Sequence, residues 1–287
     1  MSLVVVTFYH FFDFSQAAEC RLPLLAELKR LSITGTILVA PEGINGTVAG
    51  SRENIDALLA HIRAEITRAP LTHKESRCAV PPFRRAKVRL KKETISLGEQ
   101  VLMHPAGEYV DAKRWNALLN DPDTIVVDAR NAYEIHLGTF EGARNPQVRN
   151  FKELPAYARN ELGGFKQRKI ATFCTGGIRC EKFTAWLRAE GFEQVFHLEG
   201  GILKYLEEIA PGESKWQGEC YVFDARVAVG HGLQPSNSAT QCDACGRALT
   251  PQDRAHPFYS AGSSCPFCDG NVSCKKSRPA EMGNSQL

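Results

Sequence analysis

The chain has 287 residues, 43% of them hydrophobic and 23% charged, with a formal net charge of +3. That is the balance of a soluble globular protein with room for two ordinary domains and a small third unit. It excludes a membrane-spanning chain, because no apolar run reaches the eighteen or so residues a span needs, and so small a net charge does not by itself argue for nucleic acid. The opening MSLVVVTFYH lacks a basic flank and a small-residue cleavage site, so it reads as a buried strand rather than a signal peptide. Ten cysteines without a secretory signal point to a reducing, cytoplasmic setting, where thiols hold metals or do chemistry.

Residues 1–100 read β-α-β-β-α-β. LVVVTFYHFF is a strand, with His10 expected as a hydrogen-bonded core residue. SQAAECRLPLLAELKRLSI has helical spacing through Leu24, Leu25, Leu28 and Leu31. GTILVAPEGINGTVAG is a hairpin, with Asn45-Gly46 expected at its tight turn. SRENIDALLAHIRAEI opens on a Ser51 cap and carries Ile55, Leu58, Leu59 and Ile62 on one face. RRAKVRLKK is expected to close the unit, which gives the order of a split β-α-β, ferredoxin-like fold.

Charge in this unit is unevenly spread. Between Lys74 and Lys92 eight Lys or Arg face one carboxylate, Glu75, a local surplus of +7. Arg85, Lys87, Arg89 and Lys91 alternate with Ala86, Val88 and Leu90, so the strand sets one face on a core and leaves the other basic. Two readings stand: a solvated edge strand that blocks aggregation, or a phosphate-tracking surface. The second makes Arg84, Arg85, Lys87, Arg89 and Lys91 candidate RNA contacts.

In residues 101–215, MHPAGEYVDAKRW is a connector into a short helix. TIVVDAR, KIATFCT, KFTAWLRAEG, QVFHLEGG and ILKYLEEI then alternate strand with helix, which implies a mostly parallel sheet covered on both faces. Ligands of such sheets sit beyond the carboxyl ends of the strands, where Asp128, Arg130 and Cys174 all fall. Arg130 either projects toward Cys174 or pairs with Asp128 or Glu134. Trp115 and Trp186 are read as core.

The stretch IATFCTGGIRCEKF concentrates chemistry. A strand delivers Cys174 into a glycine turn, and a helix begins at once. Free amides at a helix start and a nearby guanidinium lower a thiol's pKa from about 8.5 to roughly 3.5–7.5. Thr175, Gly176, Gly177, Ile178 and Arg179 therefore form a candidate anion cradle. Cys180 is either a resolving thiol or only a small helix residue. The spacing is Cys-x4-Arg, one residue tighter than the Cys-x5-Arg loop of a cysteine phosphatase, and suits a sulfur or oxygen atom carried on the cysteine.

Residues 216–275 are poor in periodicity and rich in Gly, Ser, Pro and Cys, and 276–287 are expected to be a disordered tail. Cys242, Cys245, Cys265 and Cys268 form Cys-x2-Cys-x19-Cys-x2-Cys, inside the zinc-knuckle range. Zinc is the default metal, and iron in a rubredoxin-like site is its rival. Cys274 is a spare thiol, and Cys20, Cys78 and Cys220 are packing residues.

CTGGIR, VVDARNAYE, LGTFEGARNP and VFHLEGGILKYLEE together resemble the rhodanese superfamily. One departure is Thr139, where rhodaneses usually carry histidine in a Gly-His-Ile run. With APEGINGTVAG upstream and the cysteine cluster downstream, the ordered set resembles the tRNA wobble-uridine hydroxylase family over nearly the whole chain. The resemblance implies dioxygen-dependent 5-hydroxylation of the wobble uridine, with the tRNA anticodon stem-loop as partner and dioxygen as co-substrate. By matching motif Cys174 takes the role of the essential cysteine, with or without a persulfide. A persulfide-carrying sulfurtransferase and a non-catalytic RNA-binding module are the rival readings. No flavin, haem or dinucleotide fingerprint occurs, so the motifs define no electron donor.

Overall fold

Val4, Val6 and Phe8 alternate with Val5, Thr7 and Tyr9 along β1 (Leu3–Phe11), and this period-two pattern turns one face of the strand toward a helix-covered core. The computed structural model describes residues 2–101 and 106–268, which form two units, one before and one after the intervening stretch. In the first, β1 is followed by α1 (Ala17–Arg30), β2 (Thr34–Ala40), β3 (Gly43–Gly50), α2 (Arg52–His61), β4 (His73–Cys78) and β5 (Ala86–Leu90). The sheet order is β4-β1-β3-β2-β5. All its pairings are antiparallel except β2 with β5.

The ferredoxin-like order is present, but the basic strand does not close it. HKESRC, as β4, takes the closing place beside β1, and the basic segment adds a fifth strand, β5, at the opposite edge. Val88 is buried under α1, Ala86 packs beside it, and Arg21 Nε donates to the Val88 carbonyl at 3.3 Å. Lys87 and Arg89 consequently lie on the face that the helices do not cover.

The hairpin also differs from expectation. Its turn is Pro41–Glu42, while Asn45 and Gly46 lie within β3, opposite Leu38 and Ile37. Packing explains Gly46: a Cβ there would stand 2.9 Å from Phe8 Cζ. Asn45 Nδ2 donates to the Thr94 carbonyl at 3.4 Å, and Glu42 Oε1 accepts from both Thr94 N and Oγ1 at 2.8 Å. EGINGT thus clamps the chain after β5 instead of turning it. His10 is half-buried beside the Phe12 ring, 5.5 Å away, and is not in the core.

The second unit runs β6 (Glu108–Val110), α3 (Ala112–Asn120), β7 (Thr124–Asp128), α4 (Ala132–Ile135), β8 (Gly138–Phe140), α5 (Leu154–Tyr157), β9 (Lys169–Phe173), α6 (Ile178–Ala189), β10 (Gln194–Leu198) and α7 (Gly201–Glu208). Strands β6-β10-β9-β7 form the expected parallel sheet in that order. Phe140 anchors the core, with edge-on contacts to Tyr205 at 4.7 Å, Phe173 at 4.8 Å and Trp216 at 5.1 Å. Such pairs add to the burial of large apolar rings. Trp115 and Trp186 are core residues.

A boundary at residue 215 does not separate two cores. β11 (Trp216–Gly218) pairs with β8, and Trp216, Cys220, Val222, Val229 and Leu233 pack into the core of the parallel sheet. β12 (Cys220–Tyr221) and β13 (Ala228–Val229) continue this docking. A separate small core forms later, where β14 (Thr240–Gln241), β15 (Ala248–Leu249) and α8 (Pro251–Arg254) frame the paired cysteines. Cys274 and the expected tail at 276–287 lie outside the described residues. Among the described residues no helix is long and apolar enough to cross a membrane.

One buried histidine makes this unit pH-sensitive. His197 on β10 has no exposed surface, its Nε2 lies 3.2 Å from the Gly107 carbonyl, and its ring packs on Tyr109 at 4.0 Å. Burial pushes its pKa down to about 4, against the opposing effects of that carbonyl and of Glu199. A depressed histidine favours the neutral ring in the folded state, so its contribution is complete above about pH 6.5 and is lost as pH falls toward 4. The loss is about 3 kcal/mol. Urea unfolding at about pH 7 and about pH 4.5 should show this slope in the wild type and a shallower one in His197→Gln.

Candidate active site and metal centre

β9 ends at Phe173 and α6 begins at Ile178, so Cys174 to Gly177 form a turn at the carboxyl edge of the sheet. Gly177 caps the helix with φ +104, a region that suits glycine, and this directs its N–H onto Cys174 Sγ at 3.2 Å. Gly176 is not at positive φ. Cys174 has no exposed surface, and burial by itself opposes its thiolate. The Cys180 thiol as donor, the Arg179 charge and the amides of Cys180 and Gly177 outweigh burial and lower its pKa below the ordinary thiol value. Cys180, buried and facing that sulfur, is pushed well up and stays a thiol. One sulfur is the anion and the other its donor.

Arg179 is not an open cation. Its guanidinium meets Glu134 in a fork, Nη1 to Oε1 at 2.5 Å and Nη2 to Oε2 at 2.7 Å, and Nη2 also reaches Thr175 Oγ1 at 3.3 Å. Thr175 Oγ1 donates to Glu134 Oε2 at 3.3 Å, and Asn131 N donates to Oε1 at 3.1 Å. Burial would raise the Glu134 carboxyl, but Arg179 against it holds it below its ordinary value. Glu134 therefore ties α4 to the cysteine loop. The spacing Asn-Ala-Tyr-Glu marks the capping box that starts α4, but not the pair with Arg179.

Of the two roles open to Arg130 in the sequence, projection toward Cys174 or pairing with Asp128 or Glu134, it takes the pair with Asp128. It is fully buried, pairs with Asp128 through Nε at 2.9 Å and Nη2 at 2.6 Å, donates to the Gly138 carbonyl at 2.6 Å, and lies 5.1 Å over the Trp216 ring. Thr139 joins the same group, its Oγ1 donating to Asp128 Oδ2 at 2.9 Å. The residue that departs from the rhodanese pattern thus supports a strand end.

Sequence reasoning missed Gly201. It has φ +67, and a Cβ there would stand 2.4 Å from the Cys174 carbonyl and 2.7 Å from that of Thr175. The close approach lets Ile202 N and Leu203 N donate to those carbonyls at 2.9 and 3.1 Å. Gly201→Ala should strain the backbone by about 1–3 kcal/mol and displace the loop, lowering single-turnover rates up to about 100-fold. Gly164→Ala, where a Cβ meets nothing, should be neutral in the same assay.

Later in the chain, the sulfurs of Cys242, Cys245, Cys265 and Cys268 all lie within 4.8 Å of one another. Cys242–Cys268 is 3.9 Å, and Cys245–Cys265 and Cys265–Cys268 are 3.6 Å. Four thiolates around a metal at about 2.3 Å would be separated by about 3.8 Å, so the set fits a tetrahedral ion. The cluster abuts α4: His136, its C-terminal cap, reaches Asp253 Oδ2 at 2.7 Å and meets the Phe267 ring edge-on at 5.0 Å. Cys78 and Cys220 are buried packing thiols, and Cys20 is half-buried in the N-terminal core. In the N-terminal unit Arg84 and Arg85 are exposed ahead of β5, while Lys87, Arg89 and Lys91 are half-buried.

The parallel sheet and its Cys-x4-Arg loop define a rhodanese-like domain, and the rhodanese-like domain family matches residues 111–208. Residues 3–94 match the UPF0176 acylphosphatase like domain. The tRNA uridine(34) hydroxylase of Sinorhizobium medicae (strain WSM419) is 50% identical over 267 residues, which cover 92% of this chain and 84% of that protein. This chain belongs to the tRNA uridine(34) hydroxylase family. Among solved structures, the rhodanese-like domain of the Alr3790 protein from Anabaena sp. is 24% identical, covering 38% of this chain and 78% of that one at a TM-score of 0.33. An acylphosphatase from Coxiella burnetii is 13% identical, covering 31% of this chain and 93% of that one at a TM-score of 0.25.

Proposed function

We propose that this chain is a cytoplasmic enzyme that hydroxylates C5 of uridine 34, the wobble base of tRNA, with dioxygen as co-substrate and Cys174 as nucleophile. The name of the half-identical relative supports the reaction. The observation that carries the residue assignment is the Gly177 amide aimed at Cys174 Sγ within a loop fixed by Glu134 and Arg179. A thiolate adds to C6 of a uracil ring, and the resulting enolate makes C5 nucleophilic. C5 then attacks one oxygen at the peroxide level, which dioxygen reaches with two electrons and two protons from a reductant. The C–O bond forms as the O–O bond breaks, and the other oxygen leaves as hydroxide and is protonated to water. Loss of the C5 proton and departure of the thiolate restore the ring, leaving 5-hydroxyuridine and water. Because Cys174 has no exposed surface, the loop must open for C6 to approach to about 3–3.5 Å.

The test is mass spectrometry of wobble nucleosides from cells lacking the chain, with and without oxygen. The 5-hydroxy nucleoside should vanish in the deletion and be restored by the gene only in air. An unchanged nucleoside profile, with thiosulfate turnover by the purified protein, would favour sulfur transfer instead. A stem-loop carrying 5-fluorouridine, which has no C5 proton to lose, should trap the Cys174 adduct with active enzyme.

The four-cysteine cluster is assigned a structural zinc. Four thiolates leave no open position for substrate, and metal affinity of this kind becomes folding energy. Cys265→Ser should lose the bound metal and expose residues 240–268 to proteolysis. One red, iron-containing centre per chain in the native protein would replace zinc with a rubredoxin-like site.

A further inference from the structure

Strand register aligns an unusual row of side chains across the N-terminal sheet. Lys74 pairs with Thr7, Thr7 with Thr47, Thr47 with Thr36, and Thr36 with Lys87, so three threonines bracketed by two lysines cross all five strands. Thr7 Oγ1 and Thr47 Oγ1 are 3.1 Å apart. On β1 the row lies opposite Val4, Val6 and Phe8, which enter the core beneath the helices, so it stands on the face that the helices leave. All five side chains are half-buried. In the adjoining row Tyr9 and Arg89 are half-buried at the ends, while Asn45 and Leu38 between them are buried, Asn45 holding the chain at Thr94, so the accessible part of this row is its two ends. Tyr9 meets Phe11 edge-on at 5.8 Å, with Lys74 Nζ 6.0 Å from the Tyr9 centroid.

We infer that this face seats the single-stranded RNA backbone, with the lysines on phosphates, the threonine hydroxyls on phosphate or ribose oxygens, and Tyr9 as a stacking surface for a base. The inference rests on tRNA being the substrate, and extends the contacts from the basic strand to β1, β2, β3 and β4. Threonine is a good strand former on any open face, which accounts for one threonine well. It does not account for an unbroken hydroxyl row ended by a cation at both edges. With strands about 4.8 Å apart the lysines bracket about 19 Å, a track that crosses the strands. Hydroxyls both donate and accept, so they can meet a phosphate oxygen or a 2′-hydroxyl. Aromatic rings beside a cationic track are how single strands are held without base-edge readout.

The full-length protein should be titrated with an anticodon stem-loop bearing a wobble uridine, and with its all-deoxy counterpart, over a series of salt concentrations. Lys74→Gln/Lys87→Gln should weaken RNA binding about 10-fold and flatten the log–log salt slope by about 1.4, two single-strand phosphate contacts. Thr36→Val/Thr47→Val, which keeps strand propensity, should retain the slope and cut the preference for RNA over DNA at least about 3-fold. Wild-type affinity, slope and preference in both double variants would overturn the inference while leaving the hydroxylase reading intact. Failure of the wild type itself to bind the stem-loop would overturn both.

Discussion

Cys174→Ser is expected to abolish wobble hydroxylation, by at least about 1,000-fold, while tRNA affinity and fold are retained. Serine reproduces the shape at the end of β9, and its hydroxyl can still accept from Gly177 N. It cannot be held as an anion by the forces that hold a thiolate, because its intrinsic acidity is far lower. Nucleoside mass spectrometry of tRNA from cells carrying only the variant measures the loss, and stem-loop binding by the purified variant controls for folding. Hydroxylation at even a tenth of the wild-type level would remove the sulfur from the chemistry and leave the rhodanese-like loop as a binding element.

Glu134→Gln should have the largest effect on stability. Glu134 has no exposed surface and forks onto Arg179, which is nearly as buried. Removing one partner leaves a guanidinium in a poorly solvated site, and breaking such a pair typically costs about 3–5 kcal/mol. Urea unfolding at neutral pH measures it, and activity should fall in parallel because Thr175 and Arg179 lose their common anchor. The sign of the pH dependence follows from the lowered carboxyl. The pair is fully stabilising above the unfolded value near 4.3 and is lost as acid protonates the folded carboxylate. A change below about 1 kcal/mol would mean that the loop does not depend on α4.

The parts legible from sequence were those with a local cause. Cys174 ahead of Gly177 and a helical run gives the turn its thiol and its amides, and VVDAR and KIATF are apolar because a parallel sheet buries both faces. Two Cys-x2-Cys pairs announce their own convergence. The exchange of closing strands was not legible, because HKESRC at a sheet edge is polar on both faces and carries no hydrophobic alternation. Asn45-Gly46 has turn chemistry, yet the need for space under Phe8 puts the pair inside a strand. Trp216 to Leu233 lack periodicity because their strands are only two or three residues long and borrow the core of the preceding sheet. Pairs between distant elements, Glu134 with Arg179 and Gly201 against Cys174, depend on topology that no local window contains.

Everything in the proposed chemistry depends on the charge state of one sulfur at neutral pH. Alkylation would report access as well as ionisation at a position with no exposed surface, so the direct measurement is thiolate ultraviolet absorbance against pH, wild type minus Cys174→Ser. A midpoint below 7, in the range of about 3.5–7.5 seen for thiols at helix starts, is the expected result. A midpoint at or above the ordinary value near 8.5 would contradict it.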